Sequence, residues 1–244
     1  MPRCSCRALI LCVLAAAPAL IAQTSPQAAP VVRLLEARYR NVKTLKAVFL
    51  QTYRDGRSGL QVESGIVYFS RPGRMRWEYE SPESKLFIAD GKTVWFFVPA
   101  DRTATRAPMK ESADWRTPLA WLTGKAKLSQ LCDRIGVSGT PPGTSGHIVL
   151  SCVPRGTKPL PKPSPNGDAA QEGILSPALW YDGVLLEVDP ATGELADVRV
   201  LQPGGVELEF RFGQWQEGLP IEEALFRFQT PSGVTLLDET GARR

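Results

Sequence analysis

Histidine is almost missing from this chain: among 244 residues only His147 is one. Its neighbours Ile148, Val149 and Leu150 place it in a strand rather than a catalytic loop, so a histidine-based acid–base pair cannot be assembled. No Gly-x-Ser-x-Gly elbow occurs either. The nearest stretch, Gly143-Thr144-Ser145-Gly146, sits in a Pro/Gly-rich turn with the wrong spacing. One histidine and five cysteines, three of them before residue 13, supply too few ligands for an ordinary zinc site, and there is no phosphate loop or dinucleotide fingerprint. Glu78 and Glu80 stand two apart on one strand face, where solvated charge is the plainer reading than a glycosidase pair. The chain is therefore read as a non-enzyme with no cofactor and no metal. It also lacks a long basic run interleaved with aromatics. Arg54, Arg57, Arg71, Arg74 and Arg76 are scattered over a hairpin region as solvated strand charges, which argues against nucleic acid as a partner.

What is present begins with an export signal. Met1 to Arg7 carries Arg3 and Arg7 and no acid, and an apolar run from Ala8 to about Leu14 is followed by the small residues of Ala15 to Ala22. Residues 1–22 read as a secretory signal peptide cleaved near Ala22, too short and too Pro-interrupted (Pro18) for a membrane span. The run Leu9-Ile10-Leu11-Cys12 puts a bulky leucine directly before the cysteine, where a lipobox needs a small residue, so a soluble product is expected. Cleavage would leave a mature chain of about 220 residues, ordinary for one all-β domain, with nearly balanced charge. Cys132 and Cys152 remain in that chain. In an oxidising compartment they form a disulfide closing a loop of about twenty residues, or else stay as two buried thiols.

After a Pro/Ala/Gln/Ser lead, Val31, Leu34, Leu35 and Tyr39 recur at helical spacing among charged residues, which predicts an amphipathic helix. From Leu45 the period changes to two, with Leu45, Ala47, Phe49 and Gln51 on one face, and Asp55-Gly56-Arg57-Ser58-Gly59 reads as a hairpin turn. Strands follow at Leu60 to Ser70, Arg74 to Glu80, Lys85 to Ala89 and Thr93 to Val98, punctuated by Pro72-Gly73, Ser81-Pro82 and Asp90-Gly91. Met75, Trp77 and Tyr79 alternate with Arg74, Arg76, Glu78 and Glu80, sending three large side chains to a covered face and four charges to water. A mobile stretch is expected from Asp101 to Asp114. Thr117 to Gly124 reads as a short helix that must lie on the sheet. Further strands are expected at Ala126 to Ile135, His147 to Val153, Leu179 to Val188, Leu195 to Leu201, Val206 to Trp215, Phe226 to Gln229 and Val234 to Leu237. Between Pro154 and Pro177 lies a Pro-rich surface excursion. The fold class is mainly β (α+β), one large antiparallel sheet with a few helices.

Ser70-Arg71-Pro72-Gly73-Arg74-Met75-Arg76-Trp77, followed by Asp90-Gly91-Lys92-Thr93-Val94-Trp95 and Pro99, resembles the outer-membrane lipoprotein carrier family known as LolA. Phe49-Leu50-Gln51 and the closing Phe226 to Val234 agree in the same order, so the resemblance spans nearly all of residues 23–244, read as one carrier-like domain. It implies an unclosed β-barrel: a strongly curved antiparallel sheet with a helical lid over an apolar cavity that accepts lipoprotein acyl chains. It also implies a lid made of the first helix and the segment holding Leu119 and Leu122, kept shut by Arg71. Met75, Trp77 and Tyr79 fall where the family lines its cavity. Phe49, Phe87 and Trp95 are further candidates whose strand faces alternation leaves undecided. By the same resemblance the chain is a periplasmic monomer, receives cargo from an inner-membrane ATP-driven lipoprotein-releasing complex and passes it to an outer-membrane acceptor. A glycolipid carrier or a lipoprotein-sensing relative of the same fold is the alternative. The Pro-rich excursion and the cysteine pair depart from the family pattern.

Overall fold

A computed structural model describes residues 23–56, 59–109, 117–124, 126–155, 183–202 and 204–238. The signal-peptide reading and most of the Pro-rich excursion fall on residues outside that set. The described strands join one sheet: β1 (Gln23–Thr24), β2 (Thr44–Asp55), β3 (Gly59–Ser70), β4 (Arg74–Ser81), β5 (Lys85–Ala89), β6 (Thr93–Val98), β7 (Thr103–Pro108), β8 (Cys132–Val137), β9 (Ile148–Pro154), β10 (Gly183–Val188), β11 (Leu195–Gln202), β12 (Val206–Glu217) and β13 (Thr235–Asp238). Their order is β1-β8-β9-β10-β11-β12-β2-β3-β4-β5-β6-β7-β13. Neighbours are antiparallel except at the two rims, where β1 runs parallel to β8 and β13 parallel to β7. β1 and β13 do not pair with each other, so the sheet is unclosed.

The sheet curls strongly. Trp77 on β4 and Phe210 on β12 are three strands apart, roughly 14 Å on a flat sheet. Their ring centroids nevertheless lie 5.4 Å apart. The two strand faces therefore bend toward each other around a shared core. Helix α1 (Ala29–Arg40) lays Val31, Val32, Leu35 and Tyr39 into that concavity, with Pro30 in its first turn. The 3-10 helix Thr117–Thr123 adds Leu119, Trp121 and Leu122, all buried. Neither element is long enough to be stable alone, so both depend on the aromatic surface beneath them.

Four expectations are corrected. Part of the stretch read as mobile, Asp101 to Asp114, is strand β7, held between β6 and β13. The strand expected from Ala126 begins only at Cys132, because a helical turn, α2 (Leu128–Leu131), precedes it. Phe226 to Gln229 is not a strand. It belongs to a strap, residues 218–234, that contains a short 3-10 turn, Glu223–Phe226, and crosses the convex face from β12 to β13. Under that strap the supposedly water-facing Arg74 and Arg76 are only 20% and 19% exposed.

Candidate functional site

The concave face is assembled by register. Phe212, Phe49, Gly65 and Tyr79 form one row across β12, β2, β3 and β4, and Trp77, Phe87 and Phe96 form the next across β4, β5 and β6. Gly65 leaves a gap in the first row over which Phe49 and Tyr79 meet edge to face, 5.0 Å between centroids. No side chain fits there, since a Cβ at Gly65 would stand 1.9 Å from the Glu78 carbonyl oxygen. Trp77 is the hub, fully buried, with Phe49 at 4.9 Å, Phe210 at 5.4 Å and Phe69 at 6.0 Å. Edge-to-face rings of this kind offer large apolar contact without directional polar demands.

One end of this face is polar. Tyr79 donates its hydroxyl to Gln51 Oε1 at 2.8 Å, Gln51 Nε2 donates to Glu63 Oε2 at 2.9 Å, and Lys85 pairs with the same Glu63 carboxylate. The string satisfies Gln51, which the period of β2 places on the apolar face and which is buried. It gives the concavity an apolar floor and a hydrogen-bonding rim near the β2–β3 hairpin.

At the other end lies the lid. The last carbonyls of α1 have no partners inside the helix, and Arg71 supplies them: Nη1 donates to the Arg40 carbonyl at 2.8 Å and Nη2 to that of Tyr39. The same guanidinium lies against Gly124, where a Cβ would come within 2.9 Å of it. The adjacent Gly73 N–H donates to the Thr123 carbonyl at 3.0 Å. One turn thus grips the ends of both lid elements. The elements also touch each other through Tyr39 and Trp121, edge to face at 5.6 Å. Burial pushes the Tyr39 phenol up to about 12, and its oxygen accepts the Leu195 N–H at 3.1 Å. On the far side Arg38 bridges Glu194 at 3.0 Å and Glu217 at 2.9 Å, while Glu36 accepts both the N–H and the hydroxyl of Ser129.

Of the residues singled out from the sequence, the structure brings Phe49, Met75, Trp77, Tyr79 and Phe87 together on the concave face, each at most 4% exposed, with Leu119 and Leu122 above them. It does not bring Trp95 there. Ile88 pairs with Trp95 and Arg76 with Ile88, so Trp95 shares the parity of Arg76 and lies on the convex face, stacked on Phe228 at 5.0 Å. Phe69, Phe210 and Phe212 also belong to the aromatic surface, each at a period-two position of a predicted strand, whereas Trp215 is out of phase with Phe212 and reaches that surface through the bulge between Gly213 and Gln216. Cys132 and Cys152 are joined by a disulfide between β8 and β9, buried against the same core. His147 approaches Glu187 Oε1 at 3.0 Å. Burial pushes the Glu187 carboxyl up, but the N–H groups of Gly143 and Thr144 together with His147 outweigh it and hold the carboxyl below its usual range. This pair anchors a turn and faces away from the concavity.

The family model described as "Outer membrane lipoprotein carrier protein LolA" matches residues 40–144, from the end of α1 into the turn after β8. An outer-membrane lipoprotein carrier protein of Nitrosospira multiformis is 28% identical over 206 residues, covering 84% of this chain and 87% of its own. One from Coxiella burnetii is 26% identical over 200 residues, 82% of each chain. A third, from Chromobacterium violaceum, reaches 31% over 118 residues, 48% of this chain and 56% of its own. Among solved structures, a LolA superfamily protein from Nitrosomonas europaea overlays with a TM-score of 0.43 at 8% identity, over 82% of this chain and 97% of that one.

Proposed function

We propose that this chain, a relative of the outer-membrane lipoprotein carrier proteins, is a periplasmic carrier that shelters lipoprotein acyl chains on its aromatic concave face while they pass from the inner to the outer membrane. The observation that carries this reading is the clamp: Arg71 ties the last carbonyls of α1 across an otherwise apolar face rich in aromatic rings. A long acyl chain exposes methylenes worth about 0.8 kcal/mol each, so a free lipoprotein could not cross an aqueous compartment. The rings beneath the lid are closed on one another, and an acyl chain can reach them only when α1 and the Thr117–Thr123 turn lift. The Arg71 bonds exist in the closed form alone, so they favour the empty, closed carrier and drive cargo off. No chemical step is required, and the reading needs no catalytic group, cofactor or metal. It assigns residues 23–244 to a single monomeric carrier domain, loaded by an ATP-driven inner-membrane complex and unloaded onto an outer-membrane acceptor.

Arg71→Leu tests it. Charged hydrogen bonds of this kind contribute about 1.5–3 kcal/mol each, so their loss should shift the closed–open balance by at least about tenfold toward the loaded form. The variant should co-purify with triacylated lipoprotein that the parent has already released, as read by intact mass spectrometry without detergent. Parent and variant that hand over cargo equally would remove Arg71 from the mechanism. Glycolipid in place of lipoprotein would keep the concave site and change the cargo.

A further inference from the structure

The convex face carries a second apolar groove. In an antiparallel sheet with one solvated face, outward positions are expected to be polar. Here Tyr68, Leu86, Ile88 and Phe97 all point outward, and Ile88 is wholly buried. The strap of residues 218–234 explains the covering. It is pinned at its start by Thr44, whose hydroxyl donates to the Leu219 carbonyl at 2.6 Å, and by the Gly218 N–H donating to the Thr44 carbonyl at 2.9 Å. Midway Arg76 Nη1 donates to the Leu225 carbonyl at 3.0 Å, and beyond it Phe228 stacks on Trp95. Between these pins the strap stands off the sheet and leaves a groove of about 810 Å³, within the size range of small-molecule sites.

The charges around the groove are uneven. Arg76 is engaged by Glu78 at 2.6 Å, and Arg74, nearby, by Glu223 at 2.9 Å. Lys46, half-buried on the groove wall, has no carboxylate partner among the described residues. Its ammonium rests 5.7 Å from the centre of the Tyr68 ring. Glu222, exposed, also lines the groove but forms no ion pair with Lys46. A half-buried cation with no carboxylate in contact, beside an apolar trough, matches a ligand that brings both an anion and a hydrocarbon chain.

We infer that this groove is a binding site for a single-chain anionic amphiphile, with the chain lying along Leu86, Phe97 and Leu225 and the anion meeting Lys46. The site is separate from the proposed acyl-chain face, because the sheet itself lies between them. A fatty-acid carboxylate and a lysophospholipid phosphate share the chemistry required.

The test is a fluorescence titration of the exported full-length chain with cis-parinaric acid, alongside Lys46→Glu and Ala224→Trp. The first reverses the charge and the second, at an exposed position of the strap, fills the trough. Both should weaken one phase of binding by at least about tenfold, a change of roughly one decade in Kd. Palmitate or lysophosphatidylglycerol should displace the probe from that phase, and whichever competes better identifies the source of the anion. Equal displacement by uncharged monopalmitoylglycerol would overturn the role of Lys46, and parent-like titration of both variants would overturn the site. Neither substituted position faces the lid or Trp77, so failure here is distinguishable from failure of the carrier reading.

Discussion

From β2 to β5 the concave face is dominated by rings and a thioether, Phe49, Phe69, Met75, Trp77, Tyr79 and Phe87, with the smaller Leu45, Ala47, Val67 and Ala89 between them. From β8 to β11 it is made of compact aliphatics: Ile135, Leu150, Val184, Leu186, Val188, Val198 and Val200. The second half has a covalent tie, Cys132–Cys152, and an outer face on which Arg199 sits among Asp197 at 3.1 Å, Glu209 at 3.5 Å and Glu187 at 3.7 Å. Among the described residues the first half has no disulfide, and its outer-face ion pairs, Arg76–Glu78 and Arg74–Glu223, each join one arginine to one carboxylate. It is closed by the lid, whose hold includes the two Arg71 bonds. Branched aliphatics on a pleated surface interlock in few ways, whereas rings and a thioether regroup around an irregular guest. The proposed carrier role thus asks one half of the sheet to stay and the other to rearrange.

The strongest challenge to that contrast is a pair of truncations. Trp77→Ala removes the hub of the ring cluster and should cost about 4 kcal/mol, and Leu186→Ala, equally buried, about 3 kcal/mol, both read by urea unfolding. Both should destabilise, but only Trp77→Ala should also weaken acyl-chain binding by the folded fraction. Equal loss of binding in both variants would erase the division of labour between the halves.

Next in size is the disulfide. Replacing Cys132 and Cys152 by alanine opens a loop of twenty residues and should cost about 3 kcal/mol by the chain-entropy estimate. Native-state hydrogen exchange should show protection falling across β8 to β10 while amides of β3 and β4 lose less. If the two halves lost protection in equal measure, the sheet would be one cooperative unit and the contrast would be one of composition alone.

The readability of the two halves differed as well. Period-two alternation in β2, β3 and β4 identified the strands and the covered parity of Met75, Trp77 and Tyr79, because water lies on one side of an ordinary antiparallel sheet. That rule fails for β6, where Thr93 to Val98 is apolar on both faces: Phe96 faces the core, and Trp95 and Phe97 pack on Phe228 from a strap far away in the chain. A local pattern carries no trace of such a cover, which is why alternation leaves the face of Trp95 undecided and makes Phe226 to Gln229 look like a strand. The carbonyls held by Arg71 were equally invisible in local sequence, and only the family resemblance pointed to that residue. The disulfide was legible as a possibility from the export signal and an even cysteine pair, but its alternative, two thiols, was not separable by spacing.

The smallest expected effect probes the outer face of the rigid half. Burial, and then the neighbouring Glu209 carboxylate, push the Asp197 carboxyl up from 3.8 to about 7 against the opposing pull of Arg199. Below about pH 4 the group is protonated in folded and unfolded chains alike. Between there and about pH 7 the folded chain keeps a proton that the unfolded chain has released, so stability falls as pH rises through this window and levels off above it. Asp197→Asn removes the titration while keeping the shape, though it also gives up the ion pair to Arg199. The parent should therefore lose stability between pH 5 and pH 8 by about 1 kcal/mol more than the variant, a modest figure because a neighbouring arginine and water relaxation offset much of the burial penalty. Parallel pH profiles would mean that Arg199 fully compensates the buried carboxylate. In that event the charge network would strengthen the rigid half at every pH, and the contrast with the ring-lined half would sharpen.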